Sequence, residues 1–219
     1  ATYLGRAGHR VDLYERRPDP ESGNLVGGRS INLALSTRGL HALEQVGLAE
    51  AVLADAIPMR GRMIHGRDGD LHFQPYDQDP VRCINSVGRA VLNRVTLEAA
   101  RRQPGVRVHF DHRCLDVDLE QPSATIRPPG GEGAPLVVRG DAVVGVDGAF
   151  SPVRRAMQRL DRFDYSQRYL SHGYKELTIP PAEGGGWRME KHALHIWPRR
   201  SFMMIALPNP DGSFTCTLF

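Results

Sequence analysis

Lysine is almost missing from this sequence. Of its 28 basic residues all but Lys175 and Lys191 are arginine, and they are spread among 25 acids along 219 residues. A net charge of +3 and a pI near 8.9 thus come without the clustered basic face of a nucleic-acid binder, and no nucleic-acid partner is expected. Cysteine is scarce too. Cys83, Cys114 and Cys216 are isolated, odd in number and form no Cys-x-x-Cys pair, which argues against a disulfide framework or a zinc ribbon. Three free thiols in a reducing compartment, with no metal, is the expectation. Long apolar runs are also lacking: the longest, residues 202–208, has strand length, whereas a bilayer span needs ~20 residues. No basic-then-apolar leader opens the chain, so a cytoplasmic location is expected.

What is present is a mixture of helical and strand patterning. Residues 1–7 read as the end of a helix stopped by Gly8, and the alternation of residues 10–15 reads as a short strand. A Pro/Gly-rich loop follows, then helices from about Ser36 to Gly47 and over residues 49–56. Residues 62–65 and 71–73, joined by Arg67-Asp68-Gly69-Asp70, form a predicted hairpin. The clearest helix is 89–102, with Val91, Leu92, Val95 and Ala99 as its apolar stripe. Strands are predicted at 106–110, 115–119, 124–127 and 136–139, and a buried one at 141–146 because that run is almost wholly apolar. Ser151 as N-cap and Pro152 at the first helical position open a helix to about Leu160. Beyond it only strands are predicted: 173–179, 193–197, 202–207 and 214–219. The shift to strand-only patterning puts a boundary near residues 161–166. A chain that opens in a helix and closes in a strand is expected to be a piece of a longer protein.

Three features carry chemistry. Glu15 ends a strand that follows a helix, the place from which an acid hydrogen-bonds the ribose of a dinucleotide; an ordinary exposed acid at a strand end fits the residue as well. The run from Gly145 to Arg154 turns an apolar strand straight into a capped helix, where backbone N–H groups and Gly148 suit a phosphate or ribityl chain, or simply make a turn. Arg29, Arg62 and Arg89 stand in uncharged settings, where an arginine can hold a carboxylate through two parallel hydrogen bonds. Solvated surface arginines are the ordinary alternative.

The residues Gly145, Asp147, Gly148, Ser151 and Arg154 match a Gly-x-Asp-Gly-x-x-Ser-x-x-Arg pattern that resembles the Asp-Gly fingerprint of flavin-dependent aromatic hydroxylases. Residues 28–36 (Gly-Arg-Ser-Ile-Asn-Leu-Ala-Leu-Ser), 57–65 (Ile-Pro-Met-Arg-Gly-Arg-Met-Ile-His), 162–167 (Arg-Phe-Asp-Tyr-Ser-Gln), 172–174, 194–199, 202–209 and 214–219 resemble the kynurenine 3-monooxygenase branch of that family, in order, along nearly the whole chain.

The resemblance implies an α/β protein: a Rossmann-like FAD-binding domain of the aromatic-hydroxylase type with a mostly antiparallel substrate sheet, incomplete at both ends. The corresponding division is 1–160 for the FAD domain and 161–219 for the sheet, with strands at about 60–75 joining the latter. It further implies hydroxylation of L-kynurenine at ring position 3 with FAD, NADPH and O2, and no catalytic side chain or metal. Arg62 and Tyr76 would hold the substrate carboxylate; Leu194, Ile205 and Phe219 would wall its ring. Tyr14, Glu15, Arg16, Arg17, Ala34, Arg89, Cys114, Asp147 and Gly148 would line the cofactor. The glycine-rich turn that precedes the acid in the family is not in these residues. A hydroxylase of phenolic acids and a non-catalytic ligand-binding fragment remain the alternatives at this level, and no oligomeric state is read from the sequence.

Overall fold

The structure is a computed structural model that describes residues 1–22, 31–131 and 133–219. The chain runs α1 (Thr2–Arg6), β1 (Val11–Tyr14), β2 (Asn32–Leu35), α2 (Thr37–Glu44), α3 (Ala49–Leu53), β3 (Ile57–Met59), β4 (Gly61–His65), β5 (Leu71–Pro75), β6 (Ile84–Gly88) and α4 (Arg89–Arg101). It continues through β7 (Val106–His109), β8 (Arg113–Asp118), β9 (Ser123–Arg127), β10 (Leu136–Arg139), α5 (Pro152–Met157), β11 (Lys175–Ile179), β12 (Ala193–Arg199), β13 (Phe202–Pro208) and β14 (Phe214–Leu218). The mixed α/β class expected from the patterning is what forms. The chain passes between two compact units three times, so no single cut near residue 160 separates them.

The first unit holds the N-terminal segment through β1 and the stretch Arg101–Tyr169. Here β1 and β7 pair in parallel, Val11 opposite Val106 and Tyr14 opposite His109. A second sheet, ordered β10-β9-β8, is antiparallel throughout. Its core is Val117, Ala124, Ile126 and Ala156, with Tyr14, Cys114, Val138 and Val153 packed on it. Ser151 caps α5 as the sequence leads one to expect: its hydroxyl oxygen accepts from Arg154 N–H at 2.9 Å.

Residues 141–146 depart from expectation. They form no strand, and Val144 and Val146 are 68% and 84% exposed. An apolar run is a strand only where a neighbour takes its N–H and C=O groups, and among the described residues nothing pairs with it.

The second unit spans β2 to Ala100 and Leu170–Phe219. Its three-stranded sheet, ordered β2-β6-β3, was not visible in the sequence. Those strands are short and carry Asn, Ser, Gly and Pro, so only their pairing between segments distant in sequence defines them, as Asn32 opposite Gly88 and Ile57 opposite Ser86 show. Over this sheet lie α2, α3 and α4, burying Leu35, Leu43, Val52, Val87 and Val95; Val91 and Leu92 of the predicted α4 stripe pack on this cluster with Val95, and Ala99, the fourth, is buried as well. The six-stranded sheet is ordered β11-β14-β13-β12-β4-β5. It is antiparallel except where β4 runs parallel to β12. The hairpin β4–β5 thus joins strands more than a hundred residues away. Asn32 Nδ2 and Ser86 Oγ both donate to Pro208 O, at 3.0 and 2.8 Å, and fasten the two sheets of this unit together.

Candidate functional site

Strand alternation places the five expected substrate residues on one face of the six-stranded sheet. Successive side chains point to opposite faces, and cross-strand partners share a face. Arg62 on β4 is the partner of Leu194 on β12, and Ile64 of Ile196. Ile196 in turn faces Ile205 on β13. Phe219 exchanges two backbone hydrogen bonds with Met203, at 2.8 and 3.2 Å, and so stands with Met203 and Ile205. Tyr76 continues β5 by donating its N–H to Arg60 O at 3.0 Å, and the Arg62 guanidinium lies over its ring, 5.0 Å from the centroid. Burial pushes the Tyr76 hydroxyl above its ordinary pKa, with Arg62 opposing. Polar groups therefore stand at the β4–β5 end of this face, and an apolar floor of Leu194, Ile196 and Ile205 runs away from them. The sequence pointed to five of these residues; period-2 alternation of Leu194-His195-Ile196 could have added Ile196.

The opposite face is the core of the sheet. Ala206, Phe214 and Cys216 are buried there, with Leu177, Ile179, Trp187, Met189, Trp197 and Met204 packed against them. His195, 1% exposed, is in this face. Its Nε2 donates to Glu190 O at 2.8 Å, so its bare Nδ1 accepts from His65 Nε2, also at 2.8 Å. His65 stacks on Trp197 with centroids 4.0 Å apart. Burial lowers the pKa of both imidazoles, and the pair is neutral at pH 7.

The expected cofactor residues divide between the units. In the first, Tyr14 ends β1, stacked on His109 at 4.6 Å. Burial raises its hydroxyl pKa. Glu15 Oε1 accepts from Arg17 N–H at 2.8 Å, closing a tight turn. The turn is tied to the loop between β7 and β8 by His112 N–H to Glu15 O and Asp111 N–H to Arg17 O, at 2.9 and 3.0 Å. The side chains of Arg16 and Arg17 are exposed.

Asp147 and Gly148 form the turn before α5, and the spacing of the fingerprint now has a physical reason. Gly148 has φ +74°, a conformation that side chains resist. Arg154 reaches back one helical turn and donates to Gly148 O at 3.2 Å and to Ala149 O. Asp147 Oδ2 accepts from Val153 N–H at 3.3 Å. A Cβ on Gly145 would come within 2.9 Å of the Val153 side chain. Cys114 is brought close to this turn: its thiol pKa is raised by burial first, then by the Asp147 and Asp116 carboxylates, so it is a protonated thiol at neutral pH.

In the second unit Ala34, on β2, faces Ser86 of β6 and is exposed. Arg89 opens α4, its N–H donating to Ile31 O at 3.1 Å. Its side chain is exposed and has no ion-pair or hydrogen-bond partner among the described residues. Arg29 lies outside the described residues.

A parallel strand pair ending in an acid and a glycine turn into a capped helix are the parts of a dinucleotide-cofactor fold, and the six-stranded sheet carries one polar-ended apolar face. The family model described as "FAD binding domain" matches residues 1–198, and the chain belongs to that family. It is 52% identical over 217 residues to the kynurenine 3-monooxygenase of Myxococcus xanthus, covering 99% of this chain and 47% of that one. To the kynurenine 3-monooxygenases of Anopheles gambiae and Sus scrofa it is 48% and 45% identical, covering all of this chain and 45% and 46% of theirs. The chain thus spans about half the length of the curated relatives it matches. Among solved structures, Pseudomonas aeruginosa PqsL in complex with 2-aminobenzoylacetate superposes with a TM-score of 0.73 at 21% identity, over 99% of this chain and 56% of that one. The tetrameric form of 2-methyl-3-hydroxypyridine-5-carboxylic acid oxygenase gives 0.75 at 18% identity, over 99% and 54%. At such identities the likeness is one of fold.

Proposed function

We propose that the full-length protein is an FAD-dependent monooxygenase that hydroxylates L-kynurenine to 3-hydroxykynurenine with NADPH and O2, in the cytoplasm and without a nucleic-acid partner. The observation that carries this reading is the Arg62–Tyr76 pair at one end of an apolar sheet face, in a chain about half identical to kynurenine 3-monooxygenases. No helix among the described residues is long and apolar enough to cross a membrane.

The residues present fit the cofactor. A helix-opening arginine whose side chain has no partner among the described residues suits an anionic group, a strand-end carboxylate suits a ribose hydroxyl, and Gly148 leaves open space where a Cβ would stand. Glu15, Arg16, Arg17 and Tyr14 would hold the adenosine end; Ala34, Arg89, Cys114, Asp147 and Gly148 would hold the remainder. When bound, FAD supplies the redox chemistry and the activation of O2, which no side chain can do.

The chain's own work is positioning. The Arg62 guanidinium holds the substrate carboxylate by paired charged hydrogen bonds. Tyr76, kept protonated by burial, donates its hydroxyl hydrogen to the same group. Leu194, Ile205 and Phe219 hold the aromatic ring and exclude water from it. No protein nucleophile is needed. The test is L-kynurenine-dependent NADPH oxidation by the FAD-loaded full-length protein, with 3-hydroxykynurenine measured as product. Stoichiometric product supports the reading; turnover with a phenolic acid such as p-hydroxybenzoate and none with kynurenine overturns it.

A further inference from the structure

We infer that the His65–His195 hydrogen bond is a positioning device for the substrate face: it sets the spacing between the polar arm carried by β4–β5 and the apolar floor carried by β12–β13. The inference rests on the reading of that face as the kynurenine site.

The two halves of the face meet at one seam. Arg62 and Tyr76 belong to the hairpin β4–β5, whereas Leu194 and Ile205 belong to β12–β13, and the halves join only where β4 pairs with β12. That pairing is the sheet's one parallel ladder, and it covers just four residue pairs, Ala193–Gly61 to Ile196–Ile64. Parallel pairing is slightly less stable per residue than antiparallel pairing, so a short parallel seam between distant segments needs other fastenings.

The side chains provide them on the core face. His65, the last residue of β4, donates through Nε2 to Nδ1 of His195 on β12, and His195 is fixed in turn by Glu190 O. Arg199 Nη1 donates to His65 O at 3.0 Å. At the other end of the seam Arg60 N–H donates to His192 O at 2.8 Å, and His192 Nδ1 to Pro58 O at 2.9 Å. Of these ties only the histidine pair links two side chains across the seam, on the face opposite Arg62 and Leu194: it reaches from His65, one residue past the last pair of the ladder, back to His195 opposite Met63. His195 packs edge-on against Phe214 at 5.4 Å and His65 stacks on Trp197, so neither ring can drift to relieve a lost bond.

A ligand that must reach the arm with its carboxylate and the floor with its ring senses the spacing; a ligand that touches only the floor does not. The experiment uses the full-length FAD-loaded enzyme. His65→Phe keeps a ring on Trp197 but cannot donate to His195. His65→Gln places an amide N–H where the imidazole Nε2 stood. His65→Phe is expected to raise KM for L-kynurenine about fivefold or more with kcat and FAD content within about twofold, since displacements of an ångström or less cost this much. His65→Gln is expected to return KM to within about twofold of the parent. Inhibition by 2-aminoacetophenone, which carries the ring without the amino-acid arm, should be the same in all three. If His65→Phe does not fold, His65→Asn, whose amide falls one bond short, takes its place and should show the raised KM.

Equal KM values in parent and variants overturn the inference. So does an equal loss of kynurenine and 2-aminoacetophenone affinity in both variants, which marks the pair as ordinary core. A parent enzyme that does not turn over kynurenine refutes the functional reading itself, and this inference with it.

Discussion

In the function proposed above, Arg62 is the residue that holds the substrate carboxylate. A charged hydrogen bond to a carboxylate contributes ~1.5–3 kcal/mol, and each ~1.4 kcal/mol is a decade in affinity. Arg62→Ala should therefore raise KM for kynurenine about tenfold or more, and Arg62→Lys should recover only part, because an ammonium lacks the planar fork. FAD content should be unchanged in both; loss of FAD in steady-state preparations would place Arg62 in the fold or the cofactor site instead. Arg89 tests the other half of the account. Its exposed guanidinium has no partner among the described residues and sits at a helix start, where a cation is mildly unfavourable. Arg89→Ala should lower FAD retention while leaving thermal stability equal or slightly raised, and unchanged FAD affinity by titration would make it a plain surface residue.

At the scale of elements, the turn from Asp147 into α5 is where sequence and structure agree most fully. Ser151, Pro152 and Gly148 each act locally, so their type and spacing are readable without knowing any partner. Ser151→Ala should cost about 1 kcal/mol through loss of the cap. Gly148→Ala should cost a further ~1 kcal/mol or more at φ +74°. Chemical denaturation of the full-length protein checks both, and no change in either midpoint would show that the turn is held by something else. The run 141–146 marks the converse. Its apolarity announces a strand, yet strand formation needs a neighbour, and apolar composition carries no information about whether one is there. The sheet β2-β6-β3 was hidden for the same reason, its residues being poor strand formers that pairing overrides. The substrate face was legible at one remove: alternation in β4, β12 and β13 is in the sequence, but the parallel register that sets Arg62 against Leu194 is a property of two segments 132 positions apart. The histidine pair behind it had no sequence signal beyond two ordinary core histidines.

For the whole molecule, the pH dependence of stability follows from which groups fold in the neutral form. His65 and His195 are held neutral by burial, their pKa values pushed below the ordinary ~6.5. In acid the unfolded chain takes up protons that the folded one refuses, so their contribution is complete above about pH 6.5 and is lost as pH falls below it. Asp12, Asp116 and Asp211 are held below the usual carboxylate value of 3.8, chiefly by Arg107, Arg159 and Ser213 respectively, and their contribution disappears only at lower pH, as pH falls through the folded values. Denaturant midpoints should therefore start to fall below about pH 6.5 and fall again below about 4. A flat profile from pH 8 to 5 would show that the histidine pair is not held neutral.

In the proposed function this sheet face reads a carboxylate at one end and an aromatic ring along its floor. The most direct measurement compares Arg62→Ala with the parent, in the full-length FAD-loaded enzyme, toward L-kynurenine and toward its decarboxylated analogue kynuramine. The expected result is that the substitution weakens kynurenine binding about tenfold or more and leaves kynuramine binding within about twofold, because only the former offers Arg62 a carboxylate to hold. An equal loss toward both ligands would contradict it.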